Sequence, residues 1–229
     1  MYEKLLGPSP VPVPGQKKKY FIINMGHQAS GKSKTAEIIT KYLNIKKICD
    51  INLDNIIKDV CKKHNFMKIN CDELTQHEVW NIFRPISNEI SDNILLNCIK
   101  KQNNIIWETT GNSIEWTKKL YIPLLKKYNY DIIIVITIVT LDNAIIRCKN
   151  RKQAANCDLI QKVRPIIYDN FNKLTKKANR VIIFDNNEHN MSKIVYDSDS
   201  NFCSVNSMLK MFGSLEKNGV TKYLISKKC

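Results

Sequence analysis

Eight consecutive residues, Gly26-His27-Gln28-Ala29-Ser30-Gly31-Lys32-Ser33, have the types and spacing that hold a triphosphate. Gly26 and Gly31 let the backbone curl around an anion without Cβ clashes, so successive N–H groups point inward. Lys32 can reach the β and γ phosphates, and Ser33 offers an oxygen to Mg²⁺. With Lys34, these residues form the candidate nucleotide-binding set, for ATP with Mg²⁺. Such a loop states what is bound and leaves open what is done with it. Transfer of a phosphoryl group needs in addition a carboxylate to take the acceptor's proton and cations to neutralise the moving charge.

Candidates for both exist. Asp54 follows a short apolar-polar stretch at the opening of a helix, where it reads equally as a base facing the cleft or as a helix cap; Asp50 and Asn52 are weaker candidates nearby. Glu108 ends Ile105-Ile106-Trp107, the pattern of an apolar strand closing on a Mg²⁺-orienting acid. Thr109 and Thr110 continue from it, with hydroxyls suited to contact an acceptor. Arg147 and Arg151 are four apart, hence on one helical face, and suit a lid over the triphosphate. Arg164 is a further candidate ligand, and Arg84 is placed with the acceptor region. Trp80 and Trp116 are read by default as core or half-exposed packing, with shaping of an acceptor pocket as the alternative.

The elements that must position these residues follow from periodicity. Tyr20–Met25 is a buried strand directly before the glycine loop, and Lys34–Leu43 is a helix after it, the order the motif requires. Further strands are expected at 46–51, 104–108, 131–139 and 180–184, with a short one at 193–196. Helices are expected at 53–63, 75–101, 112–128, 141–152, 159–177 and 205–212. Pro85 should kink or break the long helix and Pro123 should bend the next. The unbroken apolar run at 131–139 marks a central parallel strand covered on both faces. The result is an α/β domain, a five-stranded and mostly parallel sheet with helices on both faces. Residues 1–19 form a Pro-rich arm, 20–213 the domain with a lid near 147–165, and 214–229 a tail.

Composition bounds the rest. The net charge is +15, yet only five of the basic residues are arginine, and Lys, Asn and Ile are plentiful. The charge therefore divides between an anionic partner, nucleic acid included, and a solvated lysine surface. Eight scattered cysteines without a Cys-x-x-Cys argue against zinc or a disulfide framework and for a reducing, cytoplasmic setting. No signal peptide or membrane-length apolar run is seen.

Taken in order, Gly26-x-x-Ala-Ser-Gly-Lys-Ser33, Ile51-Asn-Leu-Asp54, Ile105-Ile-Trp-Glu-Thr-Thr-Gly111, the Arg147/Arg151 helix and Val181-Ile-Ile-Phe-Asp-Asn186 resemble the zeta-toxin-like P-loop kinases. The resemblance implies a three-layer P-loop NTPase fold with sheet order 2-3-1-4-5 and ATP-dependent phosphorylation of a small-molecule hydroxyl. It implies Asp54 as base, Lys32 and Ser33 as triphosphate and Mg²⁺ ligands, Glu108 as the acid, and Arg147 or Arg151 as lid arginines. An inhibitor protein is also a partner in such a setting. The glycine that follows the family's acid is Thr109 here, and Ile57 and Lys58 stand where a basic residue follows the aspartate. Both departures bear on the acceptor, so the family's nucleotide-sugar substrate does not carry over. A nucleotide or polynucleotide 5′-hydroxyl kinase and a non-kinase ATPase or switch are the alternatives.

Overall fold

A computed structural model of the chain describes residues 5–9, 19–63, 74, 76–150, 157–188, 192–200, 202–203 and 220. Its centre is β1 (Lys19–Met25), flanked in parallel by β3 (Asn104–Thr109) and β4 (Tyr130–Ile138). β2 (Ile48–Asn52) extends the sheet beyond β3, and β5 (Arg180–Asp185) extends it beyond β4. These five strands are parallel and run in the expected order 2-3-1-4-5. Two antiparallel strands, β6 (Lys193–Asp197) and β7 (Phe202–Cys203), bring the sheet to seven among the described residues. The expected count of five is thus corrected. β6 matches the short stretch read at 193–196, and β7 is too brief to carry a periodic signal.

Alternation along β1 divides the core. Phe21, Ile23 and Met25 face one helical layer, with Leu95 and Ile99 of α3 (Gln76–Lys100), Leu124 and Leu125 of α4 (Ile122–Lys127), and Ile167, Tyr168 and Phe171 of α6 (Asp158–Thr175). Ile22 faces the other, with Ile133, Val135, Ile182 and Phe184 packed against Ile39 of α1 (Lys32–Tyr42). β4 is buried at eight of its nine positions, as a strand covered on both faces must be. α2 (Leu53–Lys63) lies against α3 through Ile57, Val60 and Phe83, and α5 (Leu141–Lys149) joins α6 through Ala144, Cys148 and Ile160.

The prolines act differently from expectation. α3 continues through Pro85 as one helix, so the anticipated break is absent. Before Pro123 the chain widens into a π-turn at Thr117–Tyr121, where Ile122 N–H reaches back to Thr117 O. The wider turn accommodates a residue that has no N–H to give to the ladder.

The cysteine reading is also corrected. Cys49–Cys98 ties β2 to α3, Cys148–Cys157 ties the end of α5 to the start of α6, and Cys61 is bonded too. Separations of 49 and 9 residues leave no local motif, since the fold brings the partners together. Cysteine spacing therefore carries no argument for a reducing compartment. Among the described residues no helix is long and apolar enough to cross a membrane. Part of the N-terminal arm docks on the domain: Leu6 packs on the core and Tyr128 Oη donates to Gly7 O at 2.6 Å. The helix read at 205–212 and most of the tail lie outside the described residues.

Candidate functional site

β1 is the strand at which the chain order reverses, and its carboxyl end opens into the crevice where open α/β sheets bind ligands. The loop Gly26–Gly31 wraps that end. A Cβ on Gly26 would stand 2.5 Å from Ser30 Oγ, and one on Gly31 (φ 93°) would stand 2.0 Å from Asn186 Nδ2. Both positions are therefore closed to other residues. Ala29 adopts φ 60°, and Ser30 N–H bonds His27 O at 3.2 Å, which completes the curl. α1 starts at Lys32, so the loop lies on a helix N-terminus whose partial positive charge favours an anion.

Strand register brings the acid to the loop. Glu108 pairs with Asn24 on one side and with Asn52 on the other. Its Oε2 accepts from Asn52 Nδ2 at 2.9 Å and from Ser33 Oγ at 3.4 Å. Burial pushes the Glu108 carboxyl above its usual range; Lys32 opposes the rise, and Asp50 and Asp54 reinforce it. Lys32, Ser33, Asp54 and Glu108 thus share one electrostatic neighbourhood. Lys32 Nζ donates to His27 O at 3.2 Å, close over the loop. Ser33 Oγ and Glu108 Oε2 are hard oxygen donors set close together, and this pair fits Mg²⁺.

Asn52, rather than Asp54, caps α2: its Oδ1 accepts from Asn55 N–H at 3.2 Å. Asp54 stands exposed in the first turn of that helix. Asn52 is the stronger structural element of the pair, since one amide holds both a helix end and Glu108. Sequence reasoning ranked it low because asparagine at a strand end reads as an ordinary turn residue.

The remaining candidates scatter. His27 is fully buried, with Nδ1–H bonded to Gln28 O at 2.7 Å. Desolvation outweighs that bond and, helped by the charges of Lys32 and Arg164, lowers its pKa to about 4. Lys34 pairs with Glu37 at 3.4 Å on the exposed face of α1. Thr109 Oγ1 accepts from Gly111 N–H at 3.1 Å; Thr110 lines an open cleft with Gln28, Asn112, Leu159, Ile160 and Val163. Arg147 Nη2 donates to Asn187 O at 3.4 Å, beside the β5 exit. Arg164 is buried, donating to Tyr168 Oη at 3.1 Å and to Val139 O at 3.4 Å. Arg84 lies over the Trp80 ring, 5.3 Å from its centre, on α3. Arg151 lies outside the described residues.

The family model for zeta toxin matches residues 7–208. The chain belongs to the zeta toxin family. Within that family it is a P-loop kinase, a phosphotransferase that uses a nucleoside triphosphate. Solved structures share the fold. The PezAT chromosomal toxin–antitoxin system of Streptococcus pneumoniae matches with a TM-score of 0.62 and 17% identity, over 93% of this chain and 88% of that one. The AvrRxo1-ORF1:-ORF2 structure with ATP matches with a TM-score of 0.61 and 15% identity, over 90% and 67%. No curated protein sequence matches.

Proposed function

We propose that this zeta toxin family member is an ATP-dependent kinase that transfers the γ-phosphoryl group to a hydroxyl of a small-molecule acceptor. The observation that carries the reading is the convergence of Ser33, Lys32, Glu108 and Asp54 at the carboxyl end of the sheet. Loop N–H groups and Lys32 bind the phosphates. Ser33 and Glu108 would hold Mg²⁺, which when bound would neutralise charge on the triphosphate. Asn52 keeps Glu108 turned toward Ser33. Asp54, exposed at the same rim, accepts the proton of the acceptor hydroxyl as its oxygen bonds to the γ-phosphorus and ADP departs. Arg147, with Arg151, closes over the triphosphate and offsets the transferring charge.

The acceptor occupies the cleft edged by Thr110, Gln28 and Asn112, with Glu108 and Thr109, which precede Thr110 at the end of β3, as the candidate contacts on its approach to the phosphates. Arg84, on α3 beside Trp80, is kept with the acceptor set, whereas Arg164, buried and bonded to Tyr168 Oη and Val139 O, supports the α6 side of the cleft instead of contacting the acceptor. An inhibitor protein covering this mouth is consistent with the toxin–antitoxin setting of the PezAT structure. The net charge of +15 favours a second acceptor class, a nucleotide or a nucleic-acid 5′-hydroxyl. The test is ATP turnover measured with and without acceptor. Turnover that rises with acceptor and vanishes in Lys32→Ala supports the kinase. Turnover indifferent to every acceptor overturns it, and oligonucleotide binding that weakens steeply with salt selects the second class.

A further inference from the structure

Asn186, just past the end of β5, belongs to none of the roles above, yet it is 7% exposed and touches the phosphate loop. Its Nδ2 donates to Ser30 O at 2.6 Å, and its Oδ1 accepts from Ser192 Oγ at 2.8 Å. Its own N–H is fixed to Ile138 O at 2.9 Å, so the side chain projects from a rigid strand junction. We infer that Asn186 is a positioning residue for nucleotide binding, which sets the orientation of the Ser30–Gly31 peptide. The inference rests on the nucleotide lying in the P-loop.

The physical basis is peptide planarity. In a trans peptide the carbonyl and the following N–H point in opposite directions. A donor that fixes Ser30 O on the Asn186 side therefore directs Gly31 N–H to the other side, into the phosphate cradle. Backbone N–H groups bind an anion without reorganisation only when the loop is held in place beforehand. Gly31 suits the arrangement because a Cβ there would strike Asn186 Nδ2. Ser192 matters in turn. By donating to Oδ1 it specifies which end of the Asn186 amide is the donor. The neighbouring Asn187 ties the same junction to α5: its Oδ1 accepts from Thr140 N–H at 2.7 Å and its O from Arg147. One strand exit thereby fixes both the loop and the helix that carries Arg147.

The test compares wild type, Asn186→Asp and Ser192→Ala for binding of ATP, inorganic tripolyphosphate and adenosine, with circular dichroism as the check on folding. Asn186→Asp keeps the shape, removes the donor and adds a negative charge, so Ser192→Ala, which loosens the same amide with no change of charge, separates positioning from repulsion. The expected result is an affinity loss of about ten- to hundredfold for ATP and for tripolyphosphate alike, with adenosine unchanged. In turnover the loss should fall on KM for ATP more than on kcat. Ser192→Ala should lose affinity for the same two ligands by a smaller factor, on the order of threefold. A folded Asn186→Asp that binds tripolyphosphate within about twofold of wild type overturns the inference. If that variant does not fold, Ser192→Ala decides by the same comparison, and unchanged affinity overturns it. Failure of wild type to bind ATP or tripolyphosphate would count against nucleotide binding in the loop itself, a separate outcome.

Discussion

At the residue scale, what distinguishes the site is how differently its polar groups are held. Glu108 is fixed by Asn52 and Ser33, whereas Asp54 is exposed on the rim with the freedom a proton acceptor needs. Asp54→Asn should leave ATP affinity unchanged while transfer falls by about 10²–10⁴-fold, read by calorimetry and single-turnover transfer on the same protein. Equal transfer in the variant would remove Asp54 from the base role. His27 gives a second residue-scale expectation. Its pKa is lowered from 6.5 to about 4, so the folded chain refuses a proton that the unfolded chain accepts. Its contribution to stability is therefore complete above pH 6.5 and declines as pH falls toward 4, by about 3 kcal/mol in all. His27→Gln should lose less stability than wild type across that interval, and the His27 ring resonance should titrate near pH 4. A midpoint near 6.5 would contradict the burial argument.

At the element scale, the loops depend on contacts from distant helices, and here sequence reading reached its limit. The glycine loop, its flanking strand and helix, and the acid at the end of β3 were legible because each is a local pattern with a fixed spacing. The roles of Asn186, Asn52 and Asn170 were not, because an asparagine's partner is set by the fold. Asn170 on α6 donates to Gly111 O at 2.9 Å and to Asn112 O at 3.1 Å, pinning the loop after β3 from the far side of the core. Gly111 itself has φ 78°, and a Cβ there would approach Met25 Cε to 2.3 Å. Gly111→Ala should destabilise the domain by about 1–3 kcal/mol, seen as a lower denaturant midpoint with an unchanged slope. A wild-type midpoint would mean that the loop relaxes at little cost. Arg164 shows the opposite limit. As an arginine on a helix after β4 it read as a phosphate ligand, but its place on α6 turns it into the core beside Tyr168.

At the scale of the whole molecule, a mostly parallel sheet was legible from the alternation of strands and helices and its order from the family resemblance; of the antiparallel extension the stretch of β6 was legible, but not its direction, and β7 was not. β6 earns its place through one buried charge. Asp197 is fully buried, takes Arg180 Nε at 2.9 Å and Nη2 at 2.5 Å, and accepts from Tyr42 Oη at 2.7 Å. These contacts join β5, β6 and the end of α1. Burial alone would raise the Asp197 carboxyl, but the Arg180 and Tyr42 bonds prevail and hold it below its usual range. The stability it supplies is present above the ordinary carboxylate pKa and is lost as pH falls through the depressed folded value. Asp197→Asn should cost about 3 kcal/mol near neutral pH and flatten the acid limb of the stability profile, which pH-resolved melts would show. An unaltered acid limb would assign that limb to other carboxylates.

The account stands or falls on phosphoryl transfer. The measurement is transfer of label from γ-labelled ATP to a panel of nucleotide sugars, nucleosides, nucleoside monophosphates and 5′-hydroxyl oligonucleotides, with Asp54→Asn alongside. Label in one acceptor class with wild type, and none with Asp54→Asn, is the predicted result and names the acceptor class. No label in any acceptor, with ATP bound and the chain folded, would contradict the central claim.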